Sequence, residues 1–260
     1  MIYQTDNLKF SYDGKIKVLN GINLSLDEGE LLCVLGRNGS GKSTFFACLL
    51  GLLKPMEGSI ILDGKKLSDL KEREIASIVS FVPQNNNPAF GFTAFEYVLM
   101  GCAAKLGLFS RPGKEEERMA EEALELLGIA DLKERVVTEL SGGERQQLAI
   151  ARAVASKPRV ILFDEPTAHL DYSNQIKVLK MIKALSKEGY AVVVTTHDPN
   201  HAIMLDGMVA LFDGKGNAKS GRAEELVTEE NLCRIYGSEL KIRYMEEFRR
   251  NVCIYPSIDE

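Results

Sequence analysis

The chain has 260 residues, 45% of them hydrophobic, which suits one large globular α/β core with an inserted subdomain. Its formal net charge of -5 and its lack of a basic block weigh against an electrostatic nucleic-acid surface. Its longest near-continuous apolar run, residues 45–53, falls short of the roughly 18–20 residues that a membrane-spanning helix needs. Five scattered cysteines, Cys33, Cys48, Cys102, Cys233 and Cys253, form no Cys-x-x-Cys pair, so neither zinc nor a disulfide framework is signalled and reduced cytosol is the simplest setting.

Residues 2–28 alternate in the manner of antiparallel strands, and Asp6, Asn7 and Lys9 interrupt the start, so no signal peptide is expected. Leu31-Leu32-Cys33-Val34-Leu35 reads as a buried parallel strand. It feeds Gly36-Arg37-Asn38-Gly39-Ser40-Gly41-Lys42-Ser43-Thr44, and the apolar stretch 45–53 behind reads as a helix. Glycines let successive N–H groups turn inward on phosphate oxygens, and the new helix adds the positive end of its dipole. Lys42 is therefore expected to reach the β- and γ-phosphates of a nucleotide and the Ser43 hydroxyl to ligate Mg2+. A glycine-rich turn that binds nothing is the competing reading; the strand before the loop and the helix after it weigh against that.

Residues 59–64 add a strand and turn, giving a sheet expected to cover the nucleotide base. Character changes from 85 to 156. Residues 85–88 form a polar loop, and 115–127 set Met119, Ala123 and Leu126 on one helical face before Gly128. Ser141-Gly142-Gly143 then opens a helical pattern running from Glu144 to Ser156 and closing before Pro158. A helix start attracts anions, although a plain N-cap by Ser141 explains the tripeptide taken alone.

Val160-Ile161-Leu162-Phe163 runs without alternation into Asp164-Glu165, as a central strand does on reaching the ligand edge of a sheet. Phosphoryl transfer to water needs a metal and a group that orients the nucleophile. Asp164 can hold the Mg2+ shell while Glu165 polarises the water. A solvated turn is the alternative, since Asp-Glu-Pro is ordinary turn composition. Residues 174–187 read as an amphipathic helix, 191–196 and 208–212 as strands, and 226–260 as a short helix and tail.

The order of these motifs resembles the nucleotide-binding subunit of an ATP-binding cassette (ABC) transporter across nearly the whole chain. Leu140 to Gln146 is similar to the family's signature, Gln84 after Phe81-Val82-Pro83 falls at its Q-loop, and Ala168-His169-Leu170-Asp171 at its D-loop. His197 falls at the switch histidine, and Tyr12, in Phe10-Ser11-Tyr12, at the aromatic that stacks on adenine. Glu144 departs from the commonest signature, which has Gln there, but leaves the Ser-Gly-Gly intact.

The resemblance implies an α/β fold: a P-loop NTPase core with a mostly parallel sheet, an N-terminal antiparallel β-subdomain and an inserted helical subdomain. Residues 1–84 and 157–225 would form the core with its β-subdomain, 85–156 the helical subdomain and 226–260 the tail. It implies ATP and Mg2+ as ligands, with Tyr12, Gly36, Asn38, Gly39, Ser40, Gly41, Lys42, Ser43 and Thr44 around the nucleotide. Ser141, Gly142 and Gly143 would reach the γ-phosphate held by a second copy. Catalysis would fall to Glu165, His197 and Gln84, and the metal to Ser43, Gln84 and Asp164; His169 and His201 receive no catalytic role.

Partners implied are that second copy, an integral-membrane permease and, indirectly, a substrate-binding protein, with the ATPase peripheral on the inner face of the cell membrane. Residues 90–101, and Tyr236-Gly237 with the apolar-basic stretch behind it, are similar to importers of iron-siderophores, haem and cobalamin. An importer for another substrate such as an oxyanion is the alternative, as is a non-transport ABC ATPase. The long coiled-coil insertions, zinc cysteines or paired cassettes typical of non-transport relatives are absent from the sequence.

Overall fold

The computed structural model describes residues 1–84, 91–106 and 110–257; the polar loop expected at 85–88 and Phe90 lie outside them. The chain runs through β1 (Tyr3–Phe10), β2 (Leu19–Leu26), β3 (Leu31–Leu35), α1 (Lys42–Leu49), β4 (Glu57–Leu62), β5 (Lys65–Lys66), α2 (Glu72–Ile78) and β6 (Val79–Val82). Next come α3 (Ala94–Leu99), α4 (Lys114–Leu126), α5 (Gly142–Ala155), β7 (Val160–Asp164), α6 (Tyr172–Lys187), β8 (Ala191–Thr196), α7 (Pro199–Leu205) and β9 (Met208–Phe212). It ends with β10 (Ala218–Arg222), α8 (Ala223–Leu226), α9 (Glu229–Tyr236), β11 (Lys241–Met245) and β12 (Arg250–Ile254). Among the described residues no helix is long and apolar enough to cross a membrane.

The chain divides into two compact units, Met1–Asp69 with Val193–Glu260, and Leu70–Val192. In the first, β2-β1-β4-β5 form an antiparallel sheet. Thr5 pairs with Leu24 and Ile60, and alternate residues of β1 and β2 are buried, as a sheet with one wet face requires. A second sheet runs β10-β9-β3-β8. Its β3 pairs parallel with β9, all five β3 residues are buried, and β10 joins antiparallel at the edge. The segment expected to be a short helix and tail also folds further: α9 is followed by a β11–β12 hairpin in which Ile242 pairs with Cys253.

In the second unit β6 and β7 pair parallel, Val82 opposite Phe163, and α3, α4 and α5 pack together. Close approach to α5 is set by Gly101, just beyond the end of α3, where a Cβ would stand 1.9 Å from the Arg152 carbonyl oxygen, and α3 itself meets α5 through the Arg152 guanidinium, 4.8 Å from the Tyr97 ring centroid.

The first long helix departs from expectation. Its α1 begins at Lys42 and ends at Leu49, so the apolar residues out to Leu53 are not all helical. Gly51 takes φ 73° and Leu52 is 73% exposed, because the chain leaves the helix through a left-handed glycine and turns its last leucines outward.

Candidate nucleotide-binding site

The end of β3 is fixed by burial on all sides, and the Gly36 N–H donates to the Thr196 carbonyl at 3.3 Å, tying the start of the loop to the end of β8. Gly39 and Gly41 take φ 78° and 100°, a region costly for any residue with a side chain. At Gly41 a Cβ would also meet the Val18 carbonyl at 3.1 Å. No side chain caps α1, which leaves its N-terminus open to an anion. The helix is anchored underneath by Phe45 and Phe46, each 1% exposed, with the Phe45 ring 5.5 Å from that of Phe212.

Lys42 is buried and folds its ammonium back onto the loop, donating to the Gly36 carbonyl at 2.9 Å and the Arg37 carbonyl at 3.2 Å. Ser40 Oγ is buried with no hydrogen-bond partner, a state that costs about 1–3 kcal/mol and that a phosphate oxygen would relieve. Both observations fit a nucleotide phosphate. Asn38 and Ser43 are exposed and Thr44 is half-buried. Tyr12, 68% exposed, meets Phe10 edge-on at 4.9 Å, and its hydroxyl stands 3.2 Å from Thr44 Oγ1, so its ring flanks the loop with much of its surface uncovered. His197, immediately after β8, is exposed in the same unit.

The second unit gathers the remaining residues at two places. Parallel pairing of Val82 with Phe163 brings the C-terminal ends of β6 and β7 to one edge, and from it issue Gln84, which is exposed, and Asp164 and Glu165, which are half-buried. Glu165 takes φ 43°, a left-handed conformation that costs a non-glycine residue about 1–3 kcal/mol and that the surrounding turn must hold. The turn is held by the Ala168 N–H donating to the Glu165 carbonyl at 3.0 Å. Asp171 then caps α6 by accepting from the Asn174 N–H at 2.8 Å.

The other place is the start of α5. Ser141 Oγ accepts from the Glu144 N–H at 3.3 Å, and Glu144 Oε2 accepts from the Ser141 N–H at 2.8 Å, a reciprocal cap. Arg135 donates to Glu144 Oε1 at 2.8 Å. Glu in place of Gln thus keeps the cap and adds an ion pair. The Ser141 amide, the Ser141 hydroxyl and Arg135 together hold the Glu144 carboxyl below its usual pKa range. Ser141 and Gly142 are exposed, whereas Gly143 is buried against Asn174.

Ser43, Gln84 and Asp164 offer only oxygen donors, the chemistry that suits Mg2+ completing its shell with phosphate and water. Among the described residues no group of three or more His, Cys, Asp or Glu is placed to hold a metal by itself. All five cysteines are free thiols, and burial pushes the pKa of Cys33, on β3 beneath the loop, up to about 12. Arg135 and Asn174 support the start of α5, and neither is singled out by motif or spacing in the sequence.

The sequence pattern described as "ABC transporter" matches residues 19–168. The chain belongs to the ABC transporter family. It binds and hydrolyses ATP, and its fold is that of a P-loop NTPase. Among curated relatives, the "Molybdate import ATP-binding protein MolC" of Haemophilus influenzae is 35% identical, covering 94% of this chain and 92% of that one. A "Probable iron chelatin transport ATP-binding protein" of Helicobacter pylori is 34% identical over 93% of this chain and 95% of that one. Of solved structures, "An inward-facing conformation of a putative metal-chelate type ABC transporter" is similar with a TM-score of 0.84 at 32% identity, covering 98% of each chain. The "Dimeric Structure of MJ0796, a Bacterial ABC Transporter Cassette" is similar with a TM-score of 0.72 at 32% identity, over 85% of this ABC ATPase and 99% of that chain.

Proposed function

We propose that this ABC ATPase energises an importer of metal chelates of the iron-siderophore, haem or cobalamin type, working as two copies beneath a separate permease on the inner face of the cell membrane. The observation that carries the two-copy reading is that one chain holds one phosphate loop and one Ser-Gly-Gly helix start, of which Ser141 and Gly142 are exposed. Two copies arranged head to tail then bury two ATP molecules, each between the loop of one copy and Ser141, Gly142 and Gly143 of the other. That a similar cassette is dimeric supports a two-copy assembly.

Within each half-site, the amides of residues 36–44 and Lys42 hold the phosphates, Ser40 supplies its hydroxyl and Tyr12 stacks on the base. Ser43, Asp164 and Gln84 would hold Mg2+, which would supply charge neutralisation at the phosphates. Glu165 orients the attacking water, and His197 contacts the γ-phosphate. The helical subdomain, residues 85–156, receives the permease beside Gln84, and a substrate-binding protein delivers the cargo outside.

The substrate class rests on the likeness to the metal-chelate transporter and the iron chelatin relative. The molybdate relative favours a second reading, an oxyanion importer. Co-purification of the ATPase with its permease, followed by uptake into proteoliposomes, separates them. ATP-dependent uptake of a ferric siderophore, haem or cobalamin that Lys42→Ala abolishes is the expected result. Uptake of molybdate alone would move the assignment to the second reading.

A further inference from the structure

The exposed His197 is held from behind by the C-terminal segment. Tyr236, the last residue of α9, donates its hydroxyl to the His197 carbonyl at 2.7 Å, an unstrained O–H···O length. His197 follows the last residue of β8, so this bond supplies its carbonyl with a partner beyond the end of the strand. The position of Tyr236 is itself well determined. Its helix is capped by Thr228 at one end and by Gly237 at φ 67° at the other, and it buries Leu232 and Ile235.

A second attachment lies three residues on. Asn200, on α7, reads the main chain of Cys253 in both directions: its Oδ1 accepts from the Cys253 N–H at 2.9 Å and its Nδ2 donates to the Cys253 carbonyl at 3.1 Å. Cys253 lies on β12, paired with Ile242 of β11. The ring closes at Glu229 on α9, whose carboxylate accepts from the Ile242 N–H at 2.9 Å and the Arg243 guanidinium at 2.7 Å. From α9 through the hairpin to α7 and back to His197, every junction is hydrogen-bonded.

We infer that residues 228–257 form a brace that fixes the main chain at His197, with Tyr236 as a positioning residue for the imidazole. The inference rests on the reading of His197 as the γ-phosphate contact. A main chain anchored on both sides leaves the imidazole only its own two torsions to settle, so losing the Tyr236 anchor should slow hydrolysis without weakening ATP binding.

The test uses the full-length chain and single-turnover hydrolysis of ATP with Mg2+ in four forms: parent, Tyr236→Phe, His197→Ala and the double variant. Tyr236→Phe keeps the ring and deletes only the donor, so its hydrolysis rate is expected to fall roughly tenfold, with the ATP concentration for half-maximal rate unchanged and Tm lowered by no more than one lost hydrogen bond costs. In the His197→Ala background the same substitution is expected to add nothing, because the brace acts through the imidazole. A parental rate in Tyr236→Phe, while His197→Ala is impaired, would overturn the brace and leave the His197 reading standing. A parental rate in His197→Ala would overturn that reading itself. A tenfold loss that persists in the double variant, or that comes with a fall in Tm larger than one hydrogen bond explains, would make Tyr236 a packing residue and overturn the proposal.

Discussion

Gly143 lies so close to Asn174 that a Cβ on the glycine would stand 2.3 Å from the Asn174 side-chain carbon, whereas one on neighbouring Gly142 would meet nothing within 4 Å. The two glycines therefore serve different ends. Gly143→Ala must displace an amide that donates to Asp171 at 3.0 Å, so Tm should fall by several degrees, equivalent to about 1–2 kcal/mol. Gly142→Ala sits at an open helix start, where alanine is favoured by up to about 1 kcal/mol, and should leave Tm unchanged or raised. It should nevertheless weaken ATP-dependent association, because in the proposed two-copy site the space it fills is where the second copy's phosphate would approach. Thermal melts with and without ATP check both halves.

Glu165→Gln should bind ATP with nearly parental affinity and lose most turnover, roughly a hundredfold or more, since the amide cannot take a proton from the water. Asp164→Asn should in addition impair Mg2+-dependent binding. Single-turnover hydrolysis near the parental rate in Glu165→Gln would remove that residue from its role.

Lys42→Ala removes a cation that donates to two loop carbonyls and that, on the proposed reading, holds the nucleotide phosphates. Charge-assisted bonds of this kind are each worth about 1.5–3 kcal/mol, so the ATP dissociation constant should rise at least tenfold. The loss of the two carbonyl bonds should cost about 1–2 kcal/mol of stability, leaving a folded chain by circular dichroism. An unchanged dissociation constant would take Lys42 out of the site.

Much of this could be read from the chain because the phosphate loop and the acidic strand end announce themselves twice, as motifs and as apolar strands leading into them. What could not be read has definite causes. Arg249 turns the β11–β12 hairpin at φ 49°, and arginine gives no turn signal, so Lys241 to Ile254 read as tail. Glu165 likewise adopts its left-handed φ with no glycine or asparagine to mark it. The Arg135–Glu144 pair spans nine residues of irregular chain, beyond the reach of helical spacing.

That pair gives a pH dependence. Glu144 has a lowered pKa in the folded chain, so its contribution to stability is complete above the unfolded value of about 4.3 and is lost as pH falls through the folded value. Glu144→Gln keeps an acceptor for the Ser141 N–H but loses the ion pair with Arg135, which is partly exposed. Its cost at pH 7 should be under about 1 kcal/mol. Urea melts should show that difference at pH 7 and its decline as the Glu144 carboxyl is protonated at acid pH. A gap that persists at acid pH would assign it to packing.

The composite site between two copies is tested most directly by light scattering on Glu165→Gln at saturating ATP, with and without Ser141→Arg. The single variant should pass from monomer to dimer when ATP is added, because trapped nucleotide joins the loop of one copy to the α5 start of the other. Adding Ser141→Arg, which fills that open helix start, should leave the chain monomeric. An ATP-dependent dimer that forms equally well with Ser141→Arg would contradict the account.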